Sequence, residues 1–178
     1  MTINLVASTT LPFIWTRPFA DSLQVQAALP EARIWADLGS GAGFPGLVTA
    51  IRLADEPGAK VHLIESDQRK CAFLREVSRE TQAPAIVHQG RIEEVLPRLD
   101  DKLDAVSARA LAPLPELVGY AAEALDKGAV GVFLKGEHLD DELTPSHAAD
   151  TFGQYELKAI PSVISDAGCV LIVKRKHK

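Results

Sequence analysis

A glycine-rich stretch between Trp35 and Gly46, with the sequence WADLGSGAGFPG, contains the residues best suited to bind a cofactor. Gly41, Gly43 and Gly46 match the G-x-G-x-x-G spacing of a dinucleotide-binding loop. Glu65 follows Gly41 by 24 residues, close to the distance at which such loops place the acid that binds a ribose. The spacing alone is therefore compatible with a nicotinamide dinucleotide.

The same stretch also fits a second kind of site, in which an acid precedes the glycines. Asp37, Gly39, Gly41 and Gly43 alternate with other residues, so a carboxylate ends the segment that leads into the loop. Such a carboxylate can anchor the methionine end of S-adenosylmethionine (SAM), through its ammonium group or through water, whereas it would repel a pyrophosphate. Glycines let the backbone approach a bulky ligand closely. We therefore favour SAM, with a dinucleotide or a purely structural turn as the alternatives.

Glu65 is the second predicted cofactor contact. A carboxylate at the C-terminal end of the second strand of such a fold can accept hydrogen bonds from both ribose hydroxyls. The alternative is an exposed acid that caps the following helix, but Asp67 is better placed for that cap. We assign Glu65 to the ribose and Asp67 to the helix.

Side chains suited to acid–base, nucleophilic or metal chemistry form no recognisable arrangement in the sequence. An Asn/Asp-Pro-Pro-Tyr segment, typical of methyltransferases that act on adenine amino groups, is absent. Cys71 lies on a helical apolar stripe and Cys169 in the last predicted strand, so both are expected in the core. The five histidines are scattered along the chain and predict neither a metal site nor a triad; they are His62, His88, His138, His147 and His177.

Two basic residues, Arg109 and Lys135, are predicted to lie just past the fourth and fifth strands. Ligands of open α/β sheets bind at that edge. Arginine there can pair with a carboxylate or phosphate in a bidentate manner, and lysine acts as a mobile point charge. Arg91 follows the third strand, where a salt bridge to Glu94 is an equally good explanation for its charge.

Short apolar segments alternate with helical apolar stripes at 47–54, 71–77 and 114–125, which is typical of right-handed βαβ units. The last two strands are separated only by residues 161–167, too few for a crossover helix, so they are expected to pair as an antiparallel hairpin. We predict an α/β fold with a doubly wound, mostly parallel seven-stranded sheet and a C-terminal antiparallel hairpin, as in class I methyltransferases. The predicted strands are Ile34–Leu38, Lys60–Glu65, Ala85–Gln89, Asp104–Ser107, Ala129–Lys135, Gln154–Ile160 and Gly168–Lys174.

Length and composition restrict the domain organisation and the partners. The 178 residues, 47% hydrophobic and 24% charged, predict one globular domain over 1–178. The net charge is −5 and four of the 19 cations lie in Lys174–Lys178, so the rest of the chain is more acidic still. That balance disfavours broad electrostatic binding to nucleic acid, although the basic end can contact phosphate. No apolar run reaches the roughly 18–20 residues of a membrane span, and we expect a cytoplasmic monomer.

Four segments together resemble the RsmG family, formerly called glucose-inhibited division protein B. They are Asp37–Gly46 (DLGSGAGFPG), Glu65–Arg75 (ESDQRKCAFLR), Ser107–Ala110 (SARA) and Leu134–Gly136 (LKG). The similarity extends from about residue 3 to residue 174. Members of this family methylate N7 of a guanine in 16S ribosomal RNA.

The resemblance implies a SAM-dependent methyltransferase that acts on 16S ribosomal RNA within the small ribosomal subunit, with no residue acting as a catalytic acid or base. A small-molecule methyltransferase on the same scaffold and a non-catalytic, NAD-binding module are the alternatives. By matched position, the resemblance assigns Gly39, Phe44 and Arg109 to the cofactor, Ile92 and Glu93 to the surroundings of the adenine, and Arg91 and Lys135 to the target nucleotide.

The beginning of the chain departs from the family pattern. Residues 1–30 are expected to form a short helical lead-in, some tens of residues shorter than in the family, with Asp21 or Ser22 capping a helix that ends at Leu29. The family usually has Arg-His before this Asp-Ser pair, whereas the chain has Arg17-Pro18. We expect these departures to affect RNA affinity more than cofactor binding.

Overall fold

The computed structural model describes residues 12–13, 15–136, 139–143, 152–165 and 168–176. Its centre is a seven-stranded sheet with the order β3-β2-β1-β4-β5-β7-β6. The first five strands run parallel, and β7 pairs antiparallel with both β5 and β6, which confirms the predicted sheet and C-terminal hairpin. The strands are β1 (Ile34–Leu38), β2 (Lys60–Glu65), β3 (Ala85–Gln89), β4 (Ala105–Arg109), β5 (Val130–Lys135), β6 (Tyr155–Pro161) and β7 (Cys169–Arg175).

Helices cover both faces of the sheet, as a doubly wound fold requires. One face carries Trp35, Val61 and Leu63 and packs against helices α1, α2 and α3. The other face carries Leu38 and Ile64 and packs mainly against α5. The helices are α1 (Ala20–Ala27), α2 (Gly46–Arg52), α3 (Gln68–Thr81), α4 (Ile92–Val95), α5 (Leu114–Asp126) and α6 (Leu139–Glu142).

The predicted bounds of β1, β2 and β3 are confirmed, but those of β4 are wrong. Asp104 precedes β4, which begins at Ala105. Its carboxylate accepts hydrogen bonds at 2.9 Å from the backbone N–H groups of Arg33 and Ile34. At the other end, β4 continues to Arg109, which pairs with Leu134 of β5. Arg109 and Lys135 are therefore the last residues of their strands rather than residues beyond them. Strands β5, β6 and β7 each begin one residue later than predicted.

The predicted helical lead-in is also corrected. Helix α1 continues directly from a π-helical turn, Trp15–Phe19, so Asp21 and Ser22 lie within its first turn and neither caps it. The Ser22 hydroxyl is buried and donates to the carbonyl oxygen of Pro18. The helix ends at Ala27, two residues before the predicted end. Within the described residues, no helix is long and apolar enough to cross a membrane.

His62 and His88, predicted to be scattered, form one hydrogen-bonded chain. Strands β2 and β3 bring His62 Nδ1 to 2.9 Å from His88 Nε2. His62 Nε2 lies 3.1 Å from a carboxylate oxygen of Asp101, whose other oxygen accepts from Lys60 Nζ at 2.7 Å. Burial lowers the pKa of His62, and His88 lowers it further, against the opposing effect of Asp101. Burial also lowers the pKa of His88. The remaining histidines lie outside the described residues.

This histidine pair predicts a loss of stability on acidification. Because both pKa values lie below the ordinary histidine value of 6.5 in the folded chain, the unfolded chain binds more protons. The contribution of the pair to stability is therefore complete above about pH 6.5 and is lost as the pH falls through the folded pKa values. His88→Gln removes one of the two charges that would repel each other. Urea unfolding at pH 7.5, 6.5 and 5.5 gives the free energy of unfolding of the wild type and of the variant. The wild-type value minus the variant value should decrease towards low pH. A difference that is independent of pH would contradict the coupling.

Candidate functional site

A cleft of about 440 Å³ opens at the edge of the sheet where the parallel strands end. Loops that follow four neighbouring strands build its wall, as expected for a ligand site in an open α/β sheet. Gly39 and Gly41 follow β1, Glu65 and Ser66 end or follow β2, Gly90–Glu93 follow β3, and Arg109–Leu111 end or follow β4.

The glycine loop approaches its neighbours too closely for most side chains. Gly39 has a φ of +63°, and a Cβ there would lie 2.6 Å from Cδ1 of Leu111. A Cβ on Gly46 would lie 2.4 Å from Oδ2 of Asp37. The first contact keeps the loop pressed against the turn after β4, and the second seats the start of α2 directly over the end of β1. The loop geometry thus depends on glycine, which has no side chain, at both ends of the loop.

The carboxylate of Glu65 holds this loop from the neighbouring strand. Its Oε2 accepts from the backbone N–H of Gly41 at 2.8 Å, and its Oε1 accepts from the backbone N–H of Asp67 at 2.8 Å. A carboxylate has about four lone-pair directions, so Glu65 keeps acceptor capacity towards the cleft that it lines. Asp67 caps α3 by accepting from Arg69 and Lys70, which confirms the predicted cap.

Asp37 is enclosed in the protein rather than exposed in the cleft. Its side chain is 0% exposed, and its Oδ1 accepts from the hydroxyl of Ser107 at 2.7 Å. Oδ2 has no hydrogen-bond partner and faces the backbone of Gly46. Burial raises the pKa of Asp37 to about 6, against the opposing effect of the Ser107 hydroxyl. The start of α2 covers this carboxylate, so it does not line the cleft, and its role as an anchor of the cofactor stays a prediction.

Several other predicted cofactor residues do lie in the cleft. Ile92 and Glu93 line it at the start of α4, beside Arg91. Arg91 was expected near a target nucleotide, but the structure places it with the cofactor residues. Among the ion pairs of the described residues, none joins Arg91 to Glu94; the two are linked by a backbone hydrogen bond of 3.2 Å.

Gly43 and Phe44 do not line the cleft, and their predicted contact with the cofactor stays a prediction. Gly43 packs against Leu47, whose Cβ would be 2.7 Å from an added Cβ. The Phe44 ring instead meets the edge of Phe19 with ring centroids 5.1 Å apart. Both residues belong to the packing beneath and behind the loop.

A second cavity, of about 510 Å³, adjoins the cleft and shares Arg109 and Ala110 with it. Lys135 lies here as predicted, with a side chain only 10% exposed, and its Nζ is 2.7 Å from a carboxylate oxygen of Glu142. The same oxygen accepts from the backbone N–H of Leu114 at 2.6 Å. Glu142 thus fixes the lysine against the start of α5. Cys169, expected in the core, is half-buried and lines this cavity.

The wall between the two cavities carries the half-buried cation of Arg109 and an uncommon backbone conformation at Ala110. Burial lowers the pKa of Arg109, while Asp21 opposes that effect and Arg17 adds to it. Both of these residues line the second cavity. Ala110 has a φ of +48°, in the left-handed region that non-glycine residues rarely adopt. Such outliers concentrate at functional sites, where surrounding contacts hold them in place.

Sequence reasoning missed Arg17, Glu142, Ala110 and Tyr120, which all line these cavities. Arg17 had been named only as the neighbour of Pro18, the residue that departs from the family pattern. Tyr120 could have been found from its position on α5, the helix that follows β4. Glu142 carries no local signal, because its partner Lys135 belongs to a different element and the contact depends on how α6 packs.

The basic end of the chain lies away from both cavities. Because β7 runs antiparallel to β5, Val173 pairs with Gly131 near the start of β5, whereas both cavities are at its end. Arg175 is 3.0 Å from a carboxylate oxygen of Asp126, and Lys176 Nζ donates to a backbone carbonyl at 2.9 Å. Residues 174–176 therefore lie away from both cavities, and a contact of the basic end with phosphate stays a prediction; 177–178 lie outside the described residues.

The buried Asp37 predicts a second pH dependence, opposite in sign to that of the histidine pair. Its pKa rises from 3.8 to about 6 on folding, so the folded chain binds the extra proton, and stability is lost as the pH rises through this interval. Asp37→Asn cannot ionise, so the unfolding free energy of the variant relative to wild type should rise by about 2 kcal/mol between pH 4 and pH 7. Urea unfolding at these two pH values measures this change.

Asp55→Asn is the matched control, since Asp55 is exposed on the surface. Its unfolding curve should follow that of the wild type at both pH values. Parallel curves for Asp37→Asn and the wild type would contradict the account of a buried, ionisable carboxyl.

Comparison with known proteins identifies the relatives of this chain. The sequence profile of the GidB family, described as rRNA small subunit methyltransferase G, matches residues 1–170. Proteins named ribosomal RNA small subunit methyltransferase G share 48% identity in a Bradyrhizobium species (strain ORS 278) and 49% in Parvibaculum lavamentivorans. These alignments cover 90% and 98% of this chain and 77% and 76% of the relatives, respectively.

Solved structures of methyltransferases have the same fold. The O-methyltransferase TomG from Streptomyces achromogenes, in complex with SAM, superposes with a TM-score of 0.64 at 21% identity, covering 95% of this chain and 80% of that one. A precorrin-6y C5,15-methyltransferase from Geobacter metallireducens gives 0.65 at 13% identity, covering 87% and 86%. The fold is therefore that of class I SAM-dependent methyltransferases, as predicted. The sequence profile and the identities of about one half establish that this chain belongs to the rRNA small subunit methyltransferase G family.

Proposed function

We propose that this chain transfers a methyl group from SAM to N7 of a guanine in 16S ribosomal RNA of the small subunit. One observation carries the proposal: in a chain of this family, a cleft built by the glycine loop and Glu65 meets a second cavity at Arg109. The charged residues that line the second cavity are Arg17, Arg109, Lys135, Asp21 and Glu142. The first cavity is suited to the cofactor and the second to the target base. An RNA substrate of this kind implies action where ribosomal subunits are assembled and used, the bacterial cytoplasm. The expected monomeric state remains a prediction.

The residues of the cleft fit SAM by their chemistry. Glu65 has unused acceptor capacity for ribose hydroxyls, and the main chain at Gly39 is bare enough for the methionine end to approach. Ile92 offers an apolar side chain at the place where the family resemblance expects the adenine, and Glu93 lies next to it. Asp37 acts beneath this surface, where it supports Ser107 and the start of α2 rather than the ligand.

When bound, SAM supplies a methyl group activated by a sulfonium sulfur, which an aromatic nitrogen can accept in an in-line displacement. Guanine N7 carries a lone pair and no proton, so no protein group has to remove one. The contribution of this chain is to hold the two reacting atoms in line at a short distance.

In the second cavity, the cations orient the substrate. Arg109 reaches the boundary of both cavities and can form paired hydrogen bonds to a phosphate or a carboxylate. Lys135 is held by Glu142 at 2.7 Å, so its charge is largely balanced and its ammonium group is fixed in direction. We assign Lys135 to hydrogen bonding with the target nucleotide, and Arg91 to the cofactor cleft.

The proposal predicts a defined product. Small ribosomal subunits that lack this modification, incubated with the protein and methyl-labelled SAM, should gain one methyl group on guanine N7. Nucleoside mass spectrometry of the digested 16S RNA identifies the modified atom. Label on an adenine amino group, on cytosine C5, or only on a small molecule would contradict the proposal and favour one of the alternative substrates.

The role of Glu65 predicts a loss of cofactor affinity on substitution. Glu65→Gln keeps the shape but replaces one acceptor oxygen by an NH₂ group, which cannot accept from the backbone or from a ribose hydroxyl. Hydrogen bonds to charged groups contribute about 1.5–3 kcal/mol, so the Kd for SAM should rise roughly 10- to 150-fold. Calorimetric titration measures this change.

Glu76→Gln is the matched control. Glu76 lies on the same helix that Asp67 caps, but its side chain is 60% exposed and pairs with Arg79 on the surface, so SAM affinity should not change. Titration of the wild type with NAD in parallel tests the dinucleotide alternative. Tight binding of NAD without binding of SAM would rule out the proposed cofactor.

A further inference from the structure

A third cavity, of about 650 Å³, adjoins the cleft on the side of α4 and α5. Residues of 92–103, which follow β3, form one side of it, and α5 forms the other. Leu96, Leu99 and Leu103 line it and belong to the core beneath α5. Its volume lies in the range of roughly 300–1,000 Å³ that is usual for small-molecule sites. The third cavity therefore has room for a ligand group and an apolar floor.

The boundary between the third cavity and the cleft is formed by three residues that line both, namely Ile92, Glu93 and Tyr120. The Tyr120 hydroxyl donates to Oε1 of Glu116 at 2.6 Å, so its proton is used within α5. Within the part of the chain that the structure describes, the Glu93 carboxylate has no hydrogen-bond or ion-pair partner. No hydrogen bond between these side chains therefore closes the boundary between α4 and α5.

The strand order determines which part of a bound SAM molecule reaches this boundary. The ends of β3, β2, β1 and β4 follow one another along the cleft. The proposed function places the ribose on Glu65 of β2 and directs the methyl group towards the second cavity at Arg109 of β4. The adenine is on the far side of the ribose from the sulfur. It therefore extends over the segment that follows β3, against Ile92 and Glu93.

The exocyclic amino group, N6, is the only hydrogen-bond donor of the adenine. A carboxylate accepts hydrogen bonds and donates none, so Glu93 is the natural partner of this group at the boundary. A hydrogen bond between N6 and Glu93 directs the N6 edge of the base at the third cavity. A substituent on N6 replaces one of its two protons and leaves the other for this hydrogen bond.

Gly119 leaves the third cavity open from the side of α5. It lies in the interior of the helix, where glycine is less favourable than alanine, and its φ is outside the left-handed region. A Cβ added to it would meet no atom within 4 Å, so neither packing nor backbone conformation requires a glycine here. The residue lines the cavity, and its missing side chain leaves space for a ligand group.

The charged residues around the third cavity favour a neutral group. Four of the six are acidic, so an anionic group would be repelled; the six are Glu93, Asp100, Asp101, Lys102, Glu123 and Lys127. Lys127 pairs with Glu123 at 2.6 Å, and Asp101 pairs with Lys60 at 2.7 Å. These charges are balanced within the protein, whereas the leucine floor offers apolar surface to a ligand.

We propose that the third cavity extends the cofactor site and accepts a neutral apolar group attached to N6 of the adenine. The inference rests on the proposed cofactor and adds a class of ligand to the same site, the N6-substituted relatives of SAM. Ile92 and Tyr120 flank the passage of the substituent, and Glu93 accepts the remaining N6 proton. Gly119 leaves the space that the substituent fills.

Calorimetric titration with S-adenosylhomocysteine, the product that SAM leaves after methyl transfer, and with its N6-benzyl derivative tests the extension. Burial of the benzyl ring offsets the cost of ordering it, so the wild type should bind the derivative at most about tenfold more weakly than the parent compound. The derivative should also displace SAM. A larger loss of affinity would overturn the proposal, as would binding that does not compete with SAM.

Gly119→Leu fills the third cavity from α5 without a clash, since a Cβ at this position meets open space. The Kd for the N6-benzyl derivative should rise about 10- to 100-fold, because the leucine occupies the space of the ring. The Kd for S-adenosylhomocysteine should not change. An unchanged Kd for the derivative would overturn the proposal.

Glu80→Leu is the matched control. It adds a leucine at an exposed position of α3, which packs on the opposite face of the sheet from α5. Both Kd values should equal those of the wild type.

The outcomes separate this inference from the proposed function. A wild type that binds neither SAM nor S-adenosylhomocysteine contradicts the proposed function. A wild type that binds both and methylates guanine N7, but rejects the N6-benzyl derivative, overturns the extension alone. A Gly119→Leu variant that loses affinity for both compounds to the same extent also overturns it, because α5 would then act on the adenine itself.

Discussion

The carboxylate of Glu65 holds the glycine loop and the β2–α3 turn in one arrangement, and the site depends on that link. Its two oxygens accept from the backbone of Gly41 and of Asp67, each at 2.8 Å. The side chain is only 8% exposed, so these hydrogen bonds are protected from competing water. Its own backbone carbonyl accepts from the thiol of Cys71 at 3.2 Å, which ties the end of β2 to α3. Removing the carboxylate would leave two backbone donors without acceptors at the wall of the cleft.

A second constraint acts below the loop and is destabilising by itself. Asp37 is buried at the end of β1 with one oxygen satisfied by Ser107 and the other without a hydrogen-bond partner. An ionisable group in such a place raises the energy of its charged form, which is why its pKa rises to about 6. The neighbouring Gly46 has no side chain, so α2 can begin directly above it. The arrangement sacrifices stability near neutral pH and in return fixes the height of the glycine loop over the sheet.

The fold was predictable from the sequence to the extent that it depends on local pattern. Strands β1, β2 and β3 were predicted to the residue, because each is a short apolar segment bounded by a loop. Contacts between elements were not predictable in the same way. His62 and His88 meet only because β2 and β3 pair in a particular register, and the complete burial of Asp37 depends on the position of α2. That Asp21 does not cap α1 was likewise not predictable, because the helix begins directly after the π-helical turn.

The two cavities share a wall that is formed by Arg109 and Ala110. Arg109 is the last residue of β4, so its backbone is fixed by pairing with Leu134 and only its side chain can respond to a ligand. Ala110 then turns the chain with a φ of +48°, and Leu111 presses against Gly39 of the glycine loop. Leu111 thus packs on the glycine loop of the first cavity, two residues after Arg109, which borders the second. The short turn places the walls of the two cavities side by side, which suits a reaction that requires both ligands in line at the same moment.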